Sequence, residues 1–185
     1  LPGTPGVNGR NTDGTTVADR GCISAGTPVS GVNYIRDIVT TASQAGTFIL
    51  ADVLWVNTGL VVTTTTAQSI TQPTLPLRDN LGTSNGFGIG AGILVTTATT
   101  NAAAIANITL SYTNSEGVAG KTATISSYPA TALIGTFVPF QLAQGDLGIS
   151  SIQSITLGTT LTAGAISLIA FNFLATVPVT VANIG

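Results

Sequence analysis

The chain has 185 residues, 44% of them hydrophobic and only 6% charged, with a formal net charge of −2. It contains no His, the commonest general base and metal ligand, and a single Cys, which excludes zinc knuckles, iron–sulfur clusters and an internal disulfide. Five scattered Lys and Arg are too few to neutralise a phosphate backbone, so no nucleic acid partner is expected.

Residues 1–30 are rich in Gly, Pro, Asn and Thr and read as an extended N-terminal arm. Gly3, Gly6 and Gly9 fall at a collagen-like period of three, but three triplets do not make a triple helix. Residues 31–185 read as a β domain, because Thr, Val and Ile dominate in segments suited to a pleated surface. The expected strands begin with Tyr34–Thr40 and Thr47–Val56, the second carrying the only Trp. A turn at Asn57-Thr58-Gly59 then predicts Leu60–Thr66 as a hairpin partner. Arg78–Gly86 is a polar loop, and Gly88–Thr97 becomes strand. Ile105–Thr113 alternates cleanly, with Ile108, Leu110 and Tyr112 on one face and Asn107, Thr109 and Ser111 on the other. Asn114–Gly120 is a turn, and Lys121–Ser127 returns with Ala123 and Ile125 inward. Leu133–Leu142, Ser151–Leu157 and Ala165–Leu174 complete the set. Helical signals are confined to Asn101–Asn107 and Ser43–Gly46. About ten short strands with frequent turns predict an all-β, antiparallel β-sandwich, jelly-roll-like, with the arm extended from it.

Two features invite other readings. Residues 163–182 are uncharged and nearly long enough to cross a bilayer. Gly164, Ser167, Asn172, Thr176, Pro178 and Thr180 interrupt the run and no Lys or Arg flanks it, so two strands broken at Pro178 describe it better than a membrane span. No basic segment leads into an apolar run of the kind a secretory leader has. The glycine run Gly86-Phe87-Gly88-Ile89-Gly90-Ala91-Gly92 lacks the Lys-Ser/Thr that a phosphate loop needs. Its glycines are expected to serve bends and close backbone contacts.

Catalysis finds little support. Asp13 and Asp19 lie in the arm, Asp37 and Asp79 each follow an arginine, and Asp52, Glu116 and Asp146 are dispersed. Asp52 is expected to face solvent while Val53 and Trp55 face the core. A Ser nucleophile without His would need a lysine, and Lys121 is the only one. The pairs Asp19-Arg20, Arg36-Asp37 and Arg78-Asp79 read as solvated charges or subunit contacts. Cys22 reads as a free thiol, and Asn107-Ile108-Thr109 fits a glycosylation sequon that arises readily by chance in such a chain. No metal and no cofactor are expected. A structural role is: Thr offers a hydroxyl and a methyl, and a surface with few charges is cheap to desolvate.

The stretch Ile108–Thr124, ITLSYTNSEGVAGKTAT, resembles a hairpin found in small head decoration, or cement, proteins of tailed bacteriophages. Ala51–Val62 and Gly145–Leu168 fit the same likeness, so it spans most of residues 50–170, with the arm outside it. The resemblance implies a non-enzymatic virion protein on the outer surface of the capsid. Its partners would be the major capsid protein and further copies of itself, often as trimers, without cofactor or membrane. It assigns no functional residues. The expected partner-interface residues are Leu1, Pro2, Pro5, Val7 and Arg10 of the arm, with Arg36 and Arg78. The alternative is a receptor- or glycan-binding fibre head, which needs exposed aromatics for stacking. Trp55 and Tyr112 fall on apolar faces, leaving Tyr34 and Tyr128.

Overall fold

The computed structural model describes residues 10–11, 30, 37–38 and 46–179. The chain divides into two compact units, one of 1–12 with 53–172 and one of 13–52 with 173–185. The first holds the β-sandwich. Of the second, the described part is mainly the outer ends of two strands, where Phe48, Ile49, Phe173 and Leu174 are exposed.

Ten strands run in order: β1 (Arg10–Asn11), β2 (Gly46–Asn57), β3 (Gln68–Ser69), β4 (Ile89–Thr100), β5 (Ile105–Asn114), β6 (Lys121–Tyr128), β7 (Thr131–Ala132), β8 (Phe137–Pro139), β9 (Ile149–Thr156) and β10 (Ala163–Val179). No helix occurs among the described residues. One sheet has the order β1-β2-β10-β4-β7, with β8 also on β4; the other has the order β3-β9-β5-β6. The pairs are nested, β5 with β6, β4 with β7 and β8, β3 with β9, and β2 with β10. One antiparallel ribbon, doubled back at the β5–β6 turn, is thus rolled so that successive pairs fall in opposite sheets. Rolling brings β10 beside β4 and β9 beside β5, and this is the jelly-roll form of the sandwich.

Side-chain alternation explains the packing. Ile89, Ala91, Ile93 and Val95 of β4 lie opposite Asn172, Ala170, Leu168 and Ile166 of β10 in register. Their apolar members meet Ile108, Leu110, Tyr112, Ala123, Ile125, Ile152 and Ile155 of the second sheet in one core. Each large side chain removed from water contributes roughly 1.5–3 kcal/mol. The other face of β4 carries Gly90 and Gly92. A Cβ on Gly90 would stand 3.0 Å from the Phe171 ring, and one on Gly92 2.1 Å from the Phe137 ring. The two rings meet edge to face with centroids 5.1 Å apart. The glycines therefore make room for an aromatic pair, the close-contact role expected of them.

Several expectations are corrected. Leu60–Thr66 is not a strand. The Gln68 side chain occupies its hydrogen bonds instead, accepting from Val61 N at 2.7 Å and donating to Val61 O at 2.9 Å. Leu133–Leu142 is not continuous, because a turn at Gly135 (φ 87°) separates β7 from β8. The segment then changes sheets: Phe140 N donates to Ala91 O of the first sheet, and Gln141 pairs with Thr124 of the second. β10 runs unbroken through Pro178. Residues 101–104 make a bend rather than a helical turn. Asp37 and Ile38 lie outside any strand, and the rest of Tyr34–Thr40 is outside the described residues. In β2, Leu54 and Trp55 are both buried while Asp52 and Val53 are half-buried, so the expected in–out alternation fails there.

Candidate functional site

Two aspartates, each bound to neighbouring loops and strands, organise one end of the sandwich. Asp79 is buried within the chain, contrary to its reading as a solvated charge or subunit contact. Its carboxylate accepts hydrogen bonds from Leu81 N (3.0 Å), Thr83 N (2.6 Å), Thr83 Oγ1 (2.6 Å), Gly86 N (3.1 Å) and Phe87 N (3.2 Å). Burial pushes its pKa up, but the hydrogen bonds from Thr83, Leu81 and Phe87 outweigh that and hold it below the ordinary value. The loop it organises is laced to the strand beyond. Gly86 has φ 84°, and a Cβ there would stand 1.9 Å from Ile149 O. Phe87 bridges Gly148, and Gly88 N donates to Leu147 O at 2.8 Å.

Asp146 gathers the tip of the β5–β6 hairpin. Tyr112 Oη donates to its Oδ2 at 2.6 Å, Asn114 Nδ2 donates to its Oδ1 at 3.0 Å, and Lys121 Nζ lies 3.3 Å from the same Oδ1. These bonds, led by that from Tyr112, hold the Asp146 carboxyl below its ordinary pKa. Tyr112 responds in the opposite sense: burial, reinforced by Asp146, pushes its phenol up to about 12. Ala143 N donates to Tyr112 Oη at 3.0 Å. Asn114 Oδ1 accepts from Glu116 N at 3.1 Å and Val118 N at 2.9 Å, which fixes the orientation of the amide. Ser115 N donates to Gly148 O, tying the hairpin to the same neighbouring loop. Exposed aliphatic side chains ride on these held loops: Leu81, Val118 and Leu147.

The outer face of the second sheet is lined by hydroxyls. In register across its strands lie Thr124, Thr109 and Thr156, then Thr122, Ser111 and Ser154, then Thr113 and Ser151. No charged residue stands among them. Gln153 Nε2 donates to Thr113 Oγ1 and Ser151 Oγ on this face.

Of the expected interface residues, Leu1, Pro2, Pro5, Val7 and Arg36 lie outside the described residues. Arg10 pairs with Val56 through its backbone in β1. Arg78 is half-buried and donates to Val53 O at 3.4 Å, while its own carbonyl accepts from Asn172 Nδ2. Trp55, Tyr112 and Tyr128 are fully buried, which removes Tyr128 from the aromatics available for stacking on sugars. Among the described residues no group of three or more His, Cys, Asp or Glu is placed to hold a metal ion, and no helix is long and apolar enough to cross a membrane. No family model matches the chain, and neither a curated protein nor a solved structure matches it.

Proposed function

We propose that this chain is a virion structural protein: a decoration or cement protein on the outer surface of a phage capsid, acting through symmetric multimeric contacts with the major capsid protein and with its own copies. The observation that carries the reading is the character of its surface. A three-strand field of Ser and Thr hydroxyls without charge pairs with loop ends that hold aliphatic side chains in fixed positions. Such surfaces bury with little desolvation cost, and hydroxyls both donate and accept, so they suit repeated contacts with neighbours. Many weak contacts multiplied by symmetry resist internal pressure through avidity. The resemblance supports the same reading, since Tyr112, Asn114 and Lys121 of its hairpin and Asp146 of its GDLG segment form one cluster. The Asp79 carboxylate is taken up in holding its own loop, which favours a role without turnover of a substrate. The fibre-head alternative is weakened by the burial of Tyr128.

The test is the copy number of this chain in purified native particles, measured by quantitative mass spectrometry against the most abundant shell protein. A simple fraction of the shell subunits supports lattice decoration. A few to a few tens of copies would move the fibre reading to first place. Absence from particles would overturn both.

A further inference from the structure

We infer that Lys121 and Asn114 form an intramolecular isopeptide bond, with Asp146 as the proton carrier. Lys121 stands opposite Tyr112 in the β5–β6 register, and Asn114 is the next residue on the same face of β5. Diagonal neighbours of this kind lie roughly 7–8 Å apart at Cα, well within the reach of a lysine. The nucleophilic nitrogen, Lys121 Nζ, and the nitrogen that would leave, Asn114 Nδ2, rest on one oxygen, Asp146 Oδ1, at 3.3 and 3.0 Å. A group that takes a proton from one and gives it to the other must stand in that position. The Asn114 carbonyl oxygen already accepts two backbone N–H groups, from Glu116 and Val118. Those donors polarise Cγ and would stabilise the oxyanion formed on attack. Tyr112 holds the far oxygen of Asp146 and acts as a positioning residue. Asn114 is 2% exposed and the Asp146 side chain 6%, so the reacting amide and the proton carrier are shielded, while the Lys121 side chain, 33% exposed, reaches them from the solvent side.

The step balances without an oxidant or co-reactant. The Lys121 ammonium passes one proton to Asp146, and its lone pair attacks Asn114 Cγ to form the new C–N bond. Asp146 returns that proton to Nδ2, the old C–N bond breaks, and ammonia departs. It leaves as ammonium with the second proton from Nζ, and Asp146 is again a carboxylate. The product joins the two ends of the hairpin turn covalently. Unlike a disulfide, this staple is independent of redox state. It does not depend on the virion reading above.

The test is the intact mass of the purified full chain, followed by peptide mapping. The expected result is a mass lower than the sequence mass by one ammonia, and a fragment in which residues 114 and 121 are bridged. Lys121→Arg keeps the positive charge beside Asp146 but gives no such amide, so the sequence mass should return. Asp146→Asn should also keep the sequence mass. A wild-type chain with the full sequence mass after prolonged incubation at neutral pH, folded by circular dichroism, overturns the proposal. So does ammonia loss that persists in Lys121→Arg, which would place the reaction at an Asn114-Ser115 succinimide. Bridging of 114 to 121 in a folded Asp146→Asn chain would remove the role of Asp146. If that variant does not fold, the wild-type and Lys121→Arg masses still decide.

Discussion

At the scale of single residues, the carboxylates matter most for what they accept. Asp79 takes five hydrogen bonds, four of them from backbone N–H groups of its own loop. Asp79→Asn would turn an NH2 toward some of those donors. The loss should be about 2–3 kcal/mol, allowing for the charged bonds lost and the donors left dry. A lower urea midpoint at unchanged slope would show it. The pH dependence follows from the same groups. Asp79 and Asp146 both have folded pKa values below 3.8, so the unfolded chain binds more protons in acid. Their contribution is present above the ordinary aspartate range and is lost as pH falls below about 3.8 through the lower folded values. Tyr112 works at the other end. Its folded pKa is raised from 10.0 to about 12, so its contribution is complete below pH 10 and is lost as pH rises through about 12. Burial raises the Tyr128 phenol as well, so urea unfolding across both ranges should give two declining limbs, of which Tyr112→Phe should remove part of the alkaline one. Persistence of the full alkaline limb in that variant would assign it elsewhere.

At the scale of strands, the glycine face of β4 makes a sharp prediction. Gly92 has an ordinary extended backbone, so its role is space rather than conformational freedom. A methyl at Gly92 would press into the Phe137 ring, with Val138 O a further 3.1 Å neighbour. Gly92→Ala should cost about 1–3 kcal/mol by overpacking, read from thermal or urea unfolding. A combined Gly92→Ala, Phe137→Leu chain should recover part of it. Strands with one dry face were legible in the sequence, because Ile108, Leu110 and Tyr112, or Ala123 and Ile125, alternate with hydroxyls. Leu60–Thr66 was misread because its β-branched composition fits a strand, while the Gln68 amide takes the place of a pairing backbone. Leu133–Leu142 was misread because an apolar run conceals a crossing between sheets at Phe140 and Gln141. The Asp146 cluster was not legible. Asn114 reads as the first residue of a turn, whereas β5 runs through it and carries it with Tyr112 onto the inner face, where polar atoms need partners. Nothing local says that the partner lies in the loop before β9.

At the scale of the whole molecule, the nested ribbon dictates an order of assembly. Closing a chain segment costs entropy that rises with its length, by about 0.6 kcal/mol for each doubling. The β5–β6 hairpin closes the shortest loop, whereas β3 with β9 and β2 with β10 join segments far apart in sequence. Once the hairpin exists, β4 and the segment carrying β7 and β8 are already neighbours, and each outer pair finds its ends brought together by the one before. The ribbon should therefore close from its tip outward. Refolding should be slow for the size of the protein, in the millisecond-to-second range of other all-β sandwiches. Leu110→Ala in β5 removes a fully buried side chain from the first pair formed, so it should slow folding substantially. Leu168→Ala in β10, equally buried, acts on a strand that docks late and should mainly speed unfolding. Both changes should cost about 2–5 kcal/mol at equilibrium, so the kinetic split is measurable. It is best measured in the Lys121→Arg background, so that no covalent bridge at the hairpin tip persists in the unfolded chain. A high φ-value in β10 with a low one in β5 would reverse the order and show that the roll is nucleated where β10 meets β4, not at its tip.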